Sequence, residues 1–391
     1  MADSQAPCVF QVASQELLMA ADAGPKEPPK RLDHRLARRG GAIEALRLPA
    51  GIFGCIARAR GWLYDHGLMP SARLEVPVVS IGNLSAGGTG KTPFVLWLAA
   101  ELVRRGRKPG VLSRGYKAAK AASKDQKHLN DEARMFALQL PDVPCVQNPD
   151  RVAGGLELIR QGVDLILLDD GFQHRRLGRD LDLVLIDATR PWGLPGGVGE
   201  ADEVRALLPR GLLRELPQAL VRAQVIVITR ADQVTPDALL KLRQELQRVA
   251  PGPAILSACH RAKGLRGPTG ELALPSTLRG LDVDLLSALG NPEGFEASVE
   301  ALGASIHQHR TFPDHHHYVA GDLDGLGSEG RPIVTSAKDA VKLHDFPQAV
   351  HVLEIEWNFV EGLAVLEALL DALPPSHSKA QQKALHAGLH G

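Results

Sequence analysis

One stretch of the sequence limits the possible folds more than any other: Ser80-Ile-Gly-Asn-Leu-Ser-Ala-Gly-Gly-Thr-Gly-Lys-Thr-Pro93. An apolar run at residues 76–81 leads into it, and a helical pattern follows at residues 94–105. A strand, a glycine-rich loop and a helix in this order predict a phosphate-binding loop, because the loop N–H groups and the helix N-terminus attract an anion. Lys91 would then reach the outer phosphates, and the hydroxyl of Thr92 would bind Mg²⁺.

The stretch departs at one position from the strict pattern G-x-x-x-x-G-K-[ST], which requires glycine where this chain has Ser85. Three glycines further along the loop supply flexibility instead. The flanking strand and helix favour a nucleotide site over an ordinary glycine-rich turn. The predicted nucleotide-binding residues are Ser85, Ala86, Gly87, Gly88, Thr89, Gly90, Lys91 and Thr92.

The composition of the chain limits the class of protein to which it can belong. With 391 residues, 44% apolar and 23% charged, it suits a soluble protein with a large core and two domains. Lys and Arg equal Asp and Glu, 45 of each, so a general nucleic-acid binder, which needs surplus positive charge, is not expected. The four cysteines form no C-x-x-C pair, which argues against a zinc site or a disulfide framework and fits a reducing cytosol.

The N-terminal part has neither of the common membrane signals. No uninterrupted apolar run of about 18 residues occurs, so a spanning helix is not expected. Residues 1–24 carry acids and lack a basic start before an apolar stretch, so they do not resemble a signal peptide. Residues 1–44 are predicted to be a disordered basic leader.

A basic block begins within this leader, and its end overlaps an amphipathic pattern. Residues 26–60 contain nine Lys or Arg against three acids, and apolar residues recur through positions 46–63. Pro49 is expected to prevent one long regular helix. Two interpretations remain open: binding to the surface of an anionic membrane, or packing of the apolar side on the protein's own core.

From residue 76 onward, short apolar runs alternate with helical patterns. This alternation predicts an α/β fold with a mostly parallel, P-loop NTPase-like sheet flanked by helices. The predicted strands are residues 76–81, 109–112, 143–146, 165–168, 183–186 and 225–228, and the predicted helices are residues 92–105, 131–140, 151–161 and 236–249. In such sheets ligands bind beyond the carboxyl ends of the strands, so residues that follow a strand are candidate site residues.

Polar side chains follow two of these strands. Asp169 and Asp170 follow the fourth, where a carboxylate is typical of the second nucleotide-binding element and binds Mg²⁺ directly or through water. Gln173 and His174 come shortly after. Arg114 follows the second strand and would contact a phosphate or a substrate oxygen, although a structural salt bridge explains it equally well.

Charged residues also begin two predicted helices. Asp131 is either a first-turn acid that complements the helix dipole or a carboxylate that accepts a hydroxyl proton, and the pattern does not choose between them. Arg151 is unfavourable at that end of a dipole, which favours an anion-binding role. Residues 190–216 are rich in Gly and Pro, and one interpretation of so long a segment is a substrate-facing lid.

The rest of the chain predicts a second, smaller α/β domain. Residues 261–279 are predicted to form turns; apolar runs at 283–289, 306–309, 333–335 and 350–355 and helices at 292–302 and 360–372 follow. Residues 45–260 would then form the amphipathic helix and the P-loop domain, residues 261–375 the smaller domain, and residues 376–391 a frayed tail. Three adjacent histidines, 315 to 317, lack the spacing of a metal site, so a role as acid, base or substrate ligand is favoured.

Seven motifs occur in order along the chain: Val78-Val-Ser-Ile-Gly-Asn-Leu-Ser-Ala-Gly-Gly-Thr-Gly-Lys-Thr-Pro93, Leu112-Ser-Arg-Gly-Tyr116, Asp169-Asp-Gly-Phe-Gln-His174, Arg190-Pro-Trp-Gly193, Leu213-Arg-Glu215, Phe312-Pro-Asp-His-His316 and Lys338-Asp-Ala-Val-Lys-Leu343. Together they resemble the tetraacyldisaccharide 4'-kinase family of lipid A synthesis, over residues 45–372. Family members also lack the first loop glycine, as this chain does at Ser85.

The resemblance implies ATP-dependent phosphorylation of the 4'-hydroxyl of a tetraacylated glucosamine disaccharide 1-phosphate. It implies a peripheral enzyme at the cytoplasmic face of the inner membrane, with ATP and Mg²⁺ as cofactors, the lipid and an anionic membrane surface as partners, and no obligate protein partner. It assigns the catalytic base to Asp131, assisted by His315. The remaining implied site residues are Thr92, Asp169 and Asp170 for the metal and Arg114, Arg151, Gln173, His174 and Glu215 for the substrate.

The chain differs from the family pattern at two places, and two other functions compete with it. Asn130 stands where the family has glycine before the catalytic Asp, and the link from Gly193 to Pro209 is longer than the family's and lacks its Asn. A GTPase switch is suggested by Thr229-Arg-Ala-Asp232, a loose form of the guanine-binding N-K-x-D element. A P-loop ligase acting on a soluble acid is the other alternative.

Overall fold

The computed structural model describes residues 32–115, 131–194, 204–314, 316–343, 346 and 349–374. In these residues twelve strands form a single sheet. The strands are β1 Val78–Asn83, β2 Pro109–Ser113, β3 Cys145–Gln147, β4 Leu165–Asp169, β5 Leu181–Asp187, β6 Val225–Thr229, β7 Ala254–Arg266, β8 Leu272–Ala273, β9 Asp282–Ser287, β10 Ser305–Thr311, β11 Ile333–Ser336 and β12 Val350–Glu361.

Helices cover the sheet. The α-helices are α1 Leu32–Ala37, α2 Arg47–Asp65, α3 Lys91–Arg104, α4 Asp131–Gln139, α5 Arg151–Arg160, α6 Pro236–Val249, α7 Pro292–Glu300, α8 Ala337–Leu343 and α9 Leu363–Asp371. Short 3₁₀ helices lie at Gly41–Leu46, Pro217–Arg222, Ala231–Gln233, Pro275–Leu278, Ala320–Leu323 and Ser328–Gly330.

The strand order is β10-β9-β11-β12-β7-β6-β5-β1-β4-β2-β3, with β8 paired to β7. Neighbours are parallel except where β7 pairs with β12 and with β8. β1 therefore lies between β4 and β5, and its residue Ile81 is in register with Asp169 of β4. The predicted mostly parallel α/β fold is confirmed, and its topology brings the loop after β1 beside the carboxylates that end β4.

The central strands form where the sequence has continuous apolar runs. Every residue of β1, β4, β5 and β6 is buried, as expected for parallel strands covered on both faces. Helix starts follow local rules: the Asp150 side chain accepts hydrogen bonds from the first-turn N–H groups of α5, and Thr235 caps α6 ahead of Pro236.

The two halves of the chain share this sheet and part of one core. The largest apolar cluster combines residues of β1 and α3 with residues of β12 and α9. Phe94 of α3 is fully buried, and its ring centroid lies 5.2 Å from that of Trp357 on β12. The predicted domain boundary after residue 260 falls inside β7, and the division into two domains stays a prediction.

Three predicted features differ from the structure. Residues 261–266, predicted as turn, continue β7, because they pair with β12 from Val352 to Glu356. Residues 32–44, predicted as part of a disordered leader, include α1 and most of a 3₁₀ helix, because Leu36 is buried against Leu194 and Val204. Helix α8 was not predicted. The tail from residue 375 and the leader up to residue 31 lie outside the described residues.

Helix α2 is continuous over 19 residues despite Pro49. Pro49 lies in its first turn, where backbone N–H groups have no helical partner, so no hydrogen bond is lost. The helix packs through Ala50 and Gly54, while its large apolar side chains are exposed: Leu48 by 75%, Ile52 by 57%, Ile56 by 63% and Trp62 by 53%. The core-packed interpretation of these side chains is therefore wrong. None of the described helices has both the length and the apolarity needed to cross a membrane.

Candidate active site

A cleft of about 2090 Å³ opens at the carboxyl ends of β1, β2 and β4. One wall comes from the loop after β1, from α2 and from the residues after β4, and the opposite wall comes from β7, β12 and the segments after β9 and β11. Lys and Arg outnumber Asp and Glu among the lining residues. The cleft is therefore suited to an anionic ligand of considerable size.

The loop between β1 and α3 is held in a defined shape. Gly90 has a φ of 85°, a left-handed conformation that glycine adopts without strain, and α3 begins directly after it at Lys91. The amide of Asn83 donates to the Thr89 hydroxyl at 3.1 Å, and the Thr229 hydroxyl donates to the Thr89 carbonyl at 3.3 Å. The helix N-terminus and the loop N–H groups form the kind of cradle that binds phosphate.

Ser85 occupies the first-glycine position because the backbone there is extended. It pairs in an isolated antiparallel bridge with Leu213, and the next residue, Ala86, donates to the Leu212 carbonyl at 2.7 Å. Gly193 supplies the space: a Cβ on Gly193 would come within 2.7 Å of the Ser85 Cβ. A side chain at position 193 would therefore collide with Ser85.

Asp169 ends β4 and Asp170 follows it, next to the loop. Asp169 is buried, and Asp170 adopts a left-handed φ of 52°. The Asp170 carboxylate accepts two hydrogen bonds from the Arg214 guanidinium, at 2.9 and 2.7 Å, and lies 3.4 Å from the Lys91 ammonium. Burial alone would raise the pKa of Asp170, but the charges of Lys91 and Arg214 outweigh it and lower the pKa to about 2.

Arg151 and His174 form a second polar group in the cleft. Arg151 is almost fully buried and donates to the Asn148 carbonyl at 2.6 Å; burial lowers its pKa to about 10, which still leaves it charged. Burial, together with the charges of Arg151 and Arg60, lowers the pKa of His174 to about 4. His174 is therefore neutral near pH 7. Gln173 donates to the Asn83 carbonyl at 2.9 Å, which ties this group to the end of β1.

The two other predicted substrate ligands have different environments. Arg114 is exposed at the cleft edge, which agrees with a ligand-binding role better than with a buried structural salt bridge. Glu215 also lines the cleft, but it makes a two-bond ion pair with Arg222, at 2.7 and 3.0 Å. Residues 195–203 of the predicted lid, 190–216, lie outside the described residues. The described part from residue 204 is bonded to the phosphate loop at Leu212 and Arg214, which does not support a lid there.

The predicted catalytic pair is only partly described. Asp131 is the first residue of α4, whose Arg134 and Leu138 line the cleft, but its side chain lies outside the described atoms, and so does His315. Of the neighbouring histidines, His316 contacts Asp322 at 2.8 Å, whereas His317 lines the cleft. No group of three or more potential metal-ligating side chains occurs within the described part of the chain.

The guanine-binding interpretation of Thr229-Arg-Ala-Asp232 is not supported. The Arg230 guanidinium donates to the Gly88 carbonyl at 3.2 Å and to the Asp187 carboxylate, so it braces the phosphate loop. The amide of Gln233 donates to the Gly294 carbonyl at 3.0 Å, which ties this segment to α7.

Sequence reasoning missed four residues at the site: Asp187, Arg214, His260 and Asn291. Asp187 ends β5 and meets the same rule that selected Asp169, so it could have been found. Arg214 lies inside the motif that yielded Glu215. His260 lies next to Gly90 and the Trp357 ring, and burial lowers its pKa to about 3. Neither His260 nor Asn291 has a local sequence signal, because tertiary packing brings both to the loop.

A parallel sheet with this loop after β1, and with carboxylates at the end of the adjacent strand, defines a P-loop nucleotide-binding protein of the α/β class. The family model described as tetraacyldisaccharide-1-P 4'-kinase, LpxK, matches residues 43–374. The chain belongs to this family.

Curated relatives and a solved structure agree with this assignment. The chain is 40% identical over 347 residues to a tetraacyldisaccharide 4'-kinase of Anaeromyxobacter dehalogenans (strain 2CP-C), covering 83% of this chain and 89% of the relative. It is 35% identical to one of Chromobacterium violaceum, covering 88% and 97%. A crystal structure of LpxK from Aquifex aeolicus in complex with ATP superposes with a TM-score of 0.64 at 29% identity, covering 85% of this chain and 99% of that one.

Proposed function

We propose that the protein transfers the γ-phosphoryl group of ATP to the 4'-hydroxyl of a tetraacylated glucosamine disaccharide 1-phosphate, a step of lipid A biosynthesis. The observation that carries this proposal is one cleft that joins the phosphate loop, a wall rich in Lys and Arg, and the exposed apolar side of α2. The triphosphate would bind the phosphate loop, the anionic sugar would bind the wall rich in Lys and Arg, and the acyl chains would contact the apolar side of α2. Family membership and the names of the relatives support the same substrate.

Residues 85–92 would bind the triphosphate. The ATP complex of the related Aquifex aeolicus protein supports ATP as the donor. During phosphoryl transfer, negative charge spreads over the equatorial oxygens of the γ-phosphoryl group. The backbone N–H groups of the loop and the ammonium of Lys91 are fixed donors that would stabilise this charge without reorganising.

The residues beside the loop also fit Mg²⁺. This ion is usually held by one or two carboxylates, phosphate oxygens and waters rather than by a full protein cage, so the lack of a larger ligand cluster among the described residues is compatible with it. Asp169, Asp170 and the Thr92 hydroxyl would hold it. When bound, Mg²⁺ would neutralise charge on the phosphates. Lys91 would leave its contact with Asp170 to reach the triphosphate.

Asp131 would accept the proton of the attacking hydroxyl, oriented by His315. A well-placed general base contributes roughly 10² to 10⁴-fold to a rate. The neighbours of both residues support the assignment, because Arg134 and Leu138 of α4 and Asp314 all line the cleft. Asp314 is in turn held by Lys338 at 2.6 Å.

The remaining site residues would orient the acceptor sugar. Arg114 and Arg151 supply positive charge, and Gln173 and neutral His174 supply hydrogen bonds that do not depend on pH above about 5. Glu215, held by Arg222, would accept from a sugar hydroxyl.

Helix α2 would bring this cleft to the lipid. The acyl chains of the acceptor stay in a bilayer, so the enzyme has to bind the membrane surface, peripherally and at the cytoplasmic face of the inner membrane. The exposed Leu48, Ile52, Ile56 and Trp62 supply apolar area, and basic residues such as Arg58 and Arg60 would contact anionic headgroups.

The test is incubation of the full chain with ATP, Mg²⁺ and the tetraacylated disaccharide 1-phosphate, followed by mass analysis of the lipid. One added phosphate on the distal sugar is expected. A preference for GTP with hydrolysis and no lipid product, or transfer only to a soluble acid without lipid or detergent, would contradict the proposal.

A further inference from the structure

A buried carboxylate connects the phosphate loop to the second half of the chain. Asp187, at the end of β5, is 3% exposed. One of its oxygens accepts from the N–H and the hydroxyl of Thr189, at 3.0 and 2.8 Å. The other accepts from the Arg230 guanidinium and from the side-chain amide of Asn291, at 3.0 Å. The charge of Asp187 is thus balanced by donors from both halves.

Asn291 uses every hydrogen-bonding group of its side chain except one oxygen lone pair. Its Nδ2 donates to Asp187 and, at 3.1 Å, to the Thr189 hydroxyl, and its Oδ1 accepts from the Gly294 N–H at 3.1 Å as the cap of α7. The residue is 4% exposed. A shorter or apolar side chain would leave the Asp187 oxygen and the first turn of α7 without these bonds, in a place that water does not reach.

The same contacts reach the loop backbone at Gly88. Arg230 donates to the Gly88 carbonyl at 3.2 Å, and the backbone of Gly290, just before Asn291, lies directly against it: a Cβ on Gly290 would come within 2.4 Å of the Gly88 nitrogen. The peptides around Gly88 are thus held between Arg230 and Gly290. These are peptides of the loop that has to point its N–H groups at a triphosphate.

A second contact also joins α7 to the first half of the chain. The Arg190 guanidinium lies 2.6 Å from the Glu293 carboxylate in the first turn of α7. The position of α7 and the conformation of the phosphate loop are therefore connected through several hydrogen bonds and ion pairs. The bonds to Asp187 are the most buried of these.

We infer that Asn291 and Arg230 are positioning residues for the phosphate loop. Through their bonds to Asp187 they make triphosphate binding depend on how α7 packs against the loop. The inference rests on the proposed kinase function. Neither residue is assigned a contact with substrate. Their effect is to hold the Gly88 peptides so that their orientation is ready before ATP binds, which reduces the cost of ordering the loop.

The test compares Asn291→Ala with Asn358→Ala in the full chain. Asn358 is also partly buried, and its amide contacts the Cys259 sulfur, but it lies outside the cleft. ATP affinity is measured by direct titration with Mg²⁺, which needs no lipid and no turnover, so the result is independent of whether the lipid kinase reaction is correct. For Asn291→Ala we expect roughly tenfold weaker ATP binding, corresponding to about 1.4 kcal/mol, and no such change for Asn358→Ala.

Exchanging the two side chains separates positioning from general destabilisation. The double variant Asp187→Asn with Asn291→Asp keeps one amide and one carboxylate facing each other, and it should recover most of the ATP affinity lost in either single variant. Arg230→Met removes the donors to both the Asp187 carboxylate and the Gly88 carbonyl, so it should weaken ATP binding as Asn291→Ala does. In turnover, KM for ATP should rise while KM for the lipid stays within twofold.

Three results would overturn the inference. The first is wild-type ATP affinity in folded Asn291→Ala. The second is an equal loss in the double variant and in both single variants. The third is a rise of KM for the lipid as large as that for ATP, which would indicate a general loss of structure rather than a positioned loop.

Discussion

Single side chains in the cleft have properties that follow from their neighbours rather than from their type. Asp170 is kept ionised by Lys91 and Arg214, and His174 is kept neutral by burial among arginines. For Asp131, only the position at the start of α4 is described.

Replacing Asp131 tests its assignment as the base. Asp131→Ala should lower turnover by roughly 10² to 10⁴-fold, because no positioned group then accepts the hydroxyl proton, while the ATP dissociation constant stays unchanged. Nucleotide titration and steady-state rates measure the two effects separately. Lost ATP affinity combined with normal residual chemistry would remove Asp131 from this role.

Restoring the strict loop motif should improve neither the stability of the protein nor its affinity for ATP. In Ser85→Gly the extended residue paired with Leu213 loses its side chain, and the unfolded chain gains freedom, so the variant should be less stable by roughly 0.5–1 kcal/mol. ATP affinity should not improve. Denaturant unfolding and ATP titration are the measurements, and tighter ATP binding would show that Ser85 is a real defect in the loop.

His260 should make the protein sensitive to moderate acid. Its pKa is about 3 in the folded state, against about 6.5 when unfolded, so below pH 6.5 only the unfolded state takes up this proton. The free energy of unfolding then falls by up to about 1.4 kcal/mol per pH unit for this group, down to about pH 3. His260→Gln should show a smaller loss of stability between pH 6.5 and 4.5. His66→Gln, at an exposed position, is the matched control and should follow the wild type.

Among the described elements, α2 has an unusual exposed side. A surface helix of a soluble protein normally buries its large apolar side chains, whereas α2 buries alanine and glycine and exposes Leu48, Ile52 and Ile56. Such a side is typical of a helix that lies in a membrane interface.

Charges on this side of α2 should release the protein from membranes. The double variant Ile52→Glu, Ile56→Glu should lose most binding to anionic vesicles in a flotation assay, and deletion of residues 1–68 should do the same. The control is Val221→Glu with Leu240→Glu, which changes equally exposed apolar residues elsewhere. Undiminished flotation of the α2 variant would exclude α2 as the membrane-binding element.

Across the chain as a whole, the two halves are joined by a continuous sheet and by a core that both contribute to. The antiparallel pair β7 and β12 forms the centre of this connection, and the rings of Phe94, Trp357 and Phe359 pack between α3 and β12. The halves should therefore unfold together.

Phe94→Ala tests this cooperativity. Removing a fully buried ring should cost roughly 3–5 kcal/mol and lower the midpoint of a single calorimetric transition, because both halves lose contacts. Two separate transitions, of which only the earlier moves in the variant, would show that the halves are independently stable domains.

Much of this architecture could be predicted from local patterns. The buried parallel strands were recognisable because their residues are continuously apolar, and α6 was predicted with its observed bounds because Thr235 and Pro236 mark its start. β7 was not among the predicted strands, and its residues 261–266 were predicted as turn, because His260, Arg261 and Lys263 interrupt the apolar pattern and pairing with β12 makes this segment a strand.

For the site, the sequence was enough to identify the loop at residues 85–92, the carboxylates after β4 and the family. Those signals are local, since each depends on a few adjacent residues and on the strand before them. The folded chain determined the rest: that Arg214 and Lys91 hold Asp170, that Gly193 makes room for Ser85, and that Asn291 and Arg230 brace Gly88. These contacts join residues far apart in the chain, so the packing of the sheet and helices decides them, and no local pattern records that packing.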